Sequence, residues 1–146
     1  MPCKLNRLTK SCTNWPRNLT KKEYLMKVLI IEDNLYNLKL LNVVFRRHGD
    51  TIIEATSGSE GVNAAIKEQP DLIIMDILLP DFSGVEATKK IRKEKNLKKT
   101  PIIAITSLAM AGDREAIMKA GCNGYFEKPF NPLTLTDEIN NIIKVA

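Results

Sequence analysis

From Met26 onward the chain alternates between two kinds of pattern. Three short runs, KVLIIED (27–33), DLIIMD (71–76) and TPIIAITS (100–107), are β-branched and apolar at successive positions. Such runs predict strands buried on both faces of a parallel sheet. Two further runs, TIIEAT (51–56) and GYFEKP (124–129), mix polar residues in and predict edge strands. Between the runs, apolar residues recur at helical spacing. Leu38, Leu41, Val44 and Phe45 mark one helix, and Val62, Ala65 and Ile66 a second. Val85, Thr88 and Ile91 mark a third, Ile117, Met118 and Ala120 a fourth, and Ile139, Ile142, Ile143 and Ala146 a fifth. Gly49 and Gly121 predict the ends of the first and fourth helices, and the break before Pro101 the end of the third.

Five β units alternating with five α units predict a doubly wound α/β domain with a five-stranded parallel sheet. If the two polar strands are the edges, strand one lies inside, beside strand three, in the order 2-1-3-4-5. No helix-turn-helix or catalytic output module is expected after the fifth helix. The 146 residues suit one domain with a sizeable core. No apolar run approaches the roughly 18 residues that span a bilayer, and no secretory h-region is present, so a cytoplasmic protein is expected. Cys3, Cys12 and Cys122 form an odd count without metal-ligand spacing, as reduced thiols do.

The net charge of +5 suggests a nucleic-acid partner until it is located. Residues 1–25 hold six basic residues against Glu23 alone, which accounts for the whole excess. Residues 26–146 are formally neutral. The basic segment, with Pro2, Pro16 and no sustained period, reads as an unstructured leader; a basic arm for membrane or nucleic acid is its functional alternative. His48, beside Arg46 and Arg47, reads as a solvated helix-end cation. Cys122 reads as inert, and Trp15 carries no inference.

In doubly wound sheets, ligands bind at the carboxyl ends of strands, where the strand order reverses. Strand one ends in Glu32 and Asp33, strand three in Asp76, strand four in Thr106 and Ser107, and strand five in Lys128. Each alone has an ordinary explanation: Glu32 and Asp33 could cap a helix, Asp76 could start a turn, Thr106 suits a strand, and Lys128 could be a solvated edge charge. Together they place three carboxylates, a hydroxyl and an ammonium at one rim, with Asp76 expected where the core meets water. Three close carboxylates repel, and one lysine does not neutralise them. A divalent cation does, and an all-oxygen donor set without His or Cys suits Mg²⁺. Such a rim can hold a phosphoryl group, and an aspartate can serve as its nucleophile.

The pieces IIED (30–33), DLIIMDILLPDFSG (71–84), AITS (104–107) and YFEKPF (125–130) resemble the receiver domain of two-component response regulators, which has the flavodoxin-like, CheY-like fold. The resemblance covers residues 26–146. It implies that Asp76 is the phosphoacceptor, charged by a phosphohistidine of a sensor kinase or phosphotransferase. It implies Mg²⁺ held by Asp33, Asp76 and the Leu78 backbone carbonyl, with Glu32 acting chiefly through water. Lys128 would pair with the phosphoryl oxygens across a cis Lys128–Pro129 peptide. Thr106 and Tyr125 would form the switch, and Gly84 matches the family's glycine beyond the acceptor loop. Output would pass to a protein target through the face of helix four, strand five and helix five, entered by the small residues Ala109 to Gly112. Leu78 and Leu108 would flank the path of attacking water and slow self-hydrolysis. EDNLYNLKLL and the run from Ile105 to Phe130 look more like stand-alone cell-cycle (DivK-type) and hybrid-kinase receivers than chemotaxis ones. Two other readings remain: a phosphorylation-independent interaction module, which intact Asp76 and Lys128 disfavour, and a flavodoxin-like enzyme or cofactor binder. The latter is disfavoured because no glycine-rich phosphate loop follows strand one.

Overall fold

The three runs that are apolar on both faces become the three inner strands, because only there do both faces meet helices. The computed structural model describes residues 25–47, 49–107 and 111–145. Five strands, β1 (Lys27–Ile31), β2 (Thr51–Ala55), β3 (Leu72–Asp76), β4 (Ile102–Thr106) and β5 (Gly124–Glu127), alternate with five helices. These are α1 (Leu35–Arg46), α2 (Gly58–Glu68), α3 (Gly84–Arg92), α4 (Ala111–Ala120) and α5 (Leu135–Val145). The sheet is parallel, in the order β2-β1-β3-β4-β5, with the two polar strands at its edges.

Alternate residues of the strands face opposite layers. Val28, Ile30, Ile74, Ile103 and Ile105 pack with Leu38, Leu41, Val44 and Phe45 of α1 and with Leu135, Ile139 and Ile143 of α5. Leu29, Ile31, Ile73, Met75, Ile102 and Ala104 pack with Ala65 of α2, Ala87 and Ile91 of α3, and Ile117 of α4. At roughly 1.5–3 kcal/mol for each large aliphatic side chain removed from water, these two layers dominate the stability of the domain.

Several expectations shift. α3 ends at Arg92, ahead of the break before Pro101, and a 3₁₀ turn at Lys95–Leu97 buries Leu97 in the gap. β1 stops at Ile31, leaving Glu32 and Asp33 in the loop beyond it. Ile66 and Met118, expected to face inward, are 41% and 45% exposed. On α2 the inward positions are Gly58, Gly61 and Ala65. This helix lies so close to the sheet that a Cβ at Gly61 would overlap the Ile31 side chain. Gly49 and Gly121 do sit at helix ends in the left-handed region, at φ 84° and 117°. The basic segment through residue 24, His48, Leu108, Ala109, Met110 and Ala146 lie outside the described residues. Among the described residues no helix is long and apolar enough to cross a membrane.

Candidate functional site

The register of the sheet assembles the site. Asp76, the last residue of β3, lies opposite Ile105, one position before Thr106 at the end of β4. The Lys128 N–H donates to the Thr106 carbonyl at 2.9 Å, carrying the β4–β5 ladder one step past β5. The Glu32 N–H likewise donates to the Ala55 carbonyl at 3.0 Å and extends β1. Glu32 and Asp33 do not cap α1. That role belongs to Asn34, whose Oδ1 accepts from the N–H groups of Tyr36 and Asn37 at 3.0 and 3.1 Å. Both carboxylates are thereby left for other work.

Asp76 is not at the water boundary, as its position in the sequence suggested. It is 4% exposed, and Glu32 is 1% exposed. What compensates the burial is Lys128. Its ammonium donates to Glu32 Oε2 at 2.9 Å and stands 3.3 Å from Asp76 Oδ2. The second Asp76 oxygen accepts from the Leu78 N–H at 3.2 Å, and the second Glu32 oxygen from the Asn34 N–H at 3.1 Å. Lys128 is thus a bridging cation and no solvated edge charge, and Glu32 accepts directly from it. The Lys128–Pro129 peptide is cis, as anticipated.

The charges do not balance. Glu32, Asp33 and Asp76 offer oxygens that all lie within 4.8 Å of one another, and among the described residues one ammonium, that of Lys128, pairs with two of them. Burial raises the Glu32 carboxyl above its ordinary range, opposed by the hydrogen bond from Lys128 and reinforced by neighbouring Asp76. Burial works against the Lys128 charge too. There the hydrogen bond to Glu32 and the negative charge of Asp76 outweigh it and hold the ammonium above the usual lysine range. The donor set is all oxygen, with Asp33 its exposed member, and it therefore fits a hard divalent cation such as Mg²⁺.

Thr106 is fully buried at the strand end beside this cluster. Tyr125, paired in register with Ala104, is half-buried and lies beneath the Arg114 guanidinium, 5.3 Å from its ring centroid. Arg114 also donates to Glu127 at 2.9 Å, an exposed pair worth little by itself. Leu78 is 51% exposed beside the cluster. Gly84 is required where it stands: a Cβ there would overlap the Asp76 carbonyl oxygen and approach the Ile77 Cα to 2.9 Å.

Sequence reasoning missed Arg114 over Tyr125 and the contacts of Asp81, which joins the β3–α3 loop to α2. Neither carries a local signal, since each joins segments far apart in the chain. Cys122 is buried against Thr88, and burial raises its thiol pKa, in keeping with an inert role.

Comparison with known proteins agrees with this architecture. The family model of the response regulator receiver domain matches residues 28–140. The chain is 42% identical over 104 residues to the polar-differentiation response regulator DivK of Brucella ovis, a match covering 71% of this chain and 85% of that protein. The DivK protein of Brucella anthropi is 41% identical over the same length. Among solved structures, the receiver domain of a sensor histidine kinase from Pseudomonas aeruginosa is similar with a TM-score of 0.75 and 34% identity, covering 82% of this chain and 98% of that one. That structure has a magnesium ion coordinated in its active-site cleft. The chemotaxis response regulator CheY4 of Vibrio cholerae is similar with a TM-score of 0.77 and 28% identity, covering 81% and 98%.

Proposed function

The chain belongs to the response regulator receiver family, and from that premise we propose that Asp76 is its phosphoacceptor in a two-component phosphorelay. The observation that carries the proposal is the buried Asp76 carboxylate, tied to Lys128 within an excess of negative charge. A structural ion pair would be balanced, since uncompensated charge in a low dielectric is costly. Here the imbalance makes room for an incoming cation and an incoming phosphoryl group.

In this reading Asp33, Asp76 and the Leu78 carbonyl would hold Mg²⁺, with Glu32 acting chiefly through water. The ion supplies charge neutralisation for the phosphoryl oxygens. An Asp76 carboxylate oxygen attacks the phosphorus of a phosphohistidine on a sensor kinase or phosphotransferase. The O–P bond forms, the P–N bond breaks, and its electron pair returns to the imidazole. Lys128 then pairs with a phosphoryl oxygen. The new group adds roughly two negative charges and three acceptor oxygens. Thr106 turns its hydroxyl toward one of them and leaves room into which Tyr125 moves. The shift changes the α4–β5–α5 face, through which a downstream protein is recruited. Leu78 beside the acceptor shields the acyl phosphate from water and makes its hydrolysis slow; Leu108, assigned the same role, lies outside the described residues. Residues 26–146 form the receiver unit, residues 1–25 a basic leader, and the protein works in the cytoplasm, in the manner of DivK-type regulators.

Incubation with Mg²⁺ and acetyl phosphate, followed by intact-mass measurement, tests the proposal. One phosphoryl group is expected, absent without Mg²⁺ and absent in Asp76→Asn, with a half-life well beyond seconds. A protein that folds but never gains the group is a phosphorylation-independent module instead.

A further inference from the structure

The loop between β3 and α3, residues 77–83, begins directly after Asp76 and carries Leu78, so its backbone sets what flanks the acceptor. Its far half is fastened to another element. The Asp81 carboxylate accepts from the Gly58 N–H at 2.7 Å through Oδ1 and from the Ser59 N–H at 2.9 Å through Oδ2. These N–H groups open α2 and have no partner inside that helix. The helix nevertheless has its own cap. Ser57 Oγ accepts from the Glu60 N–H at 3.1 Å, and Glu60 Oε2 accepts from the N–H of Thr56, just before the cap, at 2.8 Å, in a variant of the capping box. Asp81 is therefore not what starts α2; the contact serves the loop.

Packing points the same way. A Cβ on Gly58 would come within 2.6 Å of Phe82 Cε1 and 2.9 Å of Asp81 Oδ1, so the loop sits against α2 as closely as glycine allows. On α3, the Lys90 ammonium stands 5.4 Å from the Phe82 ring centroid. The backbone N–H of Ser59 foremost, with those of Gly58 and Phe82, holds the exposed Asp81 carboxyl well below the usual carboxylate range. Nearer the acceptor, the Leu78 N–H reaches Asp76 Oδ1 and the Gly84 N–H reaches the Ile77 carbonyl at 2.8 Å.

We propose that Asp81 is a positioning residue: it clamps the β3–α3 loop onto the first turn of α2 and so sets the backbone beside Asp76, the Leu78 carbonyl included. The chemical consequence rests on the phosphoacceptor reading; the clamp itself does not.

Three variants of the full chain test it: Asp81→Ala removes the clamp, Gly58→Ala pushes it open from the α2 side, and Ser57→Ala weakens the same helix without touching the loop. Amide hydrogen exchange is read at Leu78, Phe82, Gly58 and Ser59, and Mg²⁺ affinity by calorimetry. Asp81→Ala and Gly58→Ala are expected to speed exchange at Leu78 and Phe82 about fivefold, the size of effect of one lost cap. They are expected to weaken Mg²⁺ binding roughly tenfold, the low end for groups that orient metal ligands from outside. Ser57→Ala is expected to loosen α2 and leave Mg²⁺ affinity within about twofold, as a cap remote from the ligands should. The proposal is overturned if Asp81→Ala leaves Leu78 exchange unchanged, or if Ser57→Ala shifts Leu78 and Mg²⁺ as far as Asp81→Ala does. If the wild-type chain takes neither Mg²⁺ nor phosphoryl, the phosphoacceptor reading falls, and Leu78 exchange still decides the clamp.

Discussion

Two partly buried cations sit at opposite ends of the sheet and are held by different chemistry. Arg92, at the end of α3, lies near the amino ends of β4 and β5. Its guanidinium donates to the carbonyls of Leu97 and Thr100, both at 2.7 Å, to the Gly121 carbonyl at 2.8 Å, and to the Asn123 side-chain oxygen at 3.0 Å. Lys128, at the carboxyl end, meets two carboxylates. The four partners of Arg92 are neutral oxygens, three of the backbone and one of a side chain, and its planar fork satisfies them together. Lys128 is a compact charge on a flexible stem, outnumbered by carboxylates that can exchange partners. A buried cation among carbonyls fastens segments together; one among excess carboxylates holds a site ready for a change of charge.

Exchanging each cation for methionine should break this contrast if it is wrong. Lys128→Met leaves Glu32 and Asp76 without their ammonium, and phosphoryl labelling should fall about a hundredfold or more, as when one preorganised donor is lost from a reactive site. Arg92→Met should lower unfolding free energy by about 3 kcal/mol, because buried carbonyls lose their donor. Labelling per folded molecule should change by no more than about twofold, since Arg92 lies at the end of the sheet away from the reacting atoms. Paired denaturation and labelling measurements check both, and equal losses of labelling would erase the distinction.

A smaller effect is expected from Gly84→Ala. The added methyl meets the backbone at Asp76 and Ile77, which cannot swing aside as a side-chain tip can. The cost should be about 1–3 kcal/mol of stability, measurable by urea titration, with slower labelling because the backbone that must shift is that of Asp76, the proposed acceptor.

Glu32→Gln sharpens the contrast with the smallest change. The Glu32 carboxyl is raised in the folded chain above its usual 4.5. Its contribution to stability is therefore fully present below that value and is lost as pH rises through the folded pKa. At neutral pH the metal-free wild type carries that loss, and the glutamine variant does not. Metal-free Glu32→Gln should melt higher than the wild type at pH 7 and lose the decline with rising pH. Its gain in melting temperature on adding Mg²⁺ should be smaller than that of the wild type. A lower melting point at neutral pH would mean that Glu32 serves only as the structural partner of Lys128.

Much of this was legible in the chain. Strand order followed from which runs were apolar on both faces, and the rim residues from what each run ended with. Ile66 and Met118 were misjudged because apolar spacing on a helix cannot report how near the sheet lies. On α2 the close approach to the sheet is made at Gly61, against Ile31, and hydrophobicity does not mark it. Asp76 was expected at the water boundary because its position was read from its own strand, whereas Lys128 arrives from another.

The sequence by itself determined the parallel sheet, its order and the residue types at its carboxyl rim, because period and apolar runs are local properties of the chain. Only the tertiary structure decided that Asp76 and Glu32 are buried together beside the Lys128 ammonium, that Asn34 and not Asp33 caps α1, and that Asp81 of the β3–α3 loop accepts from the first N–H groups of α2. Each of these depends on distances between segments that are remote in sequence, or on which of several adjacent polar groups wins one hydrogen bond. Local pattern carries neither quantity.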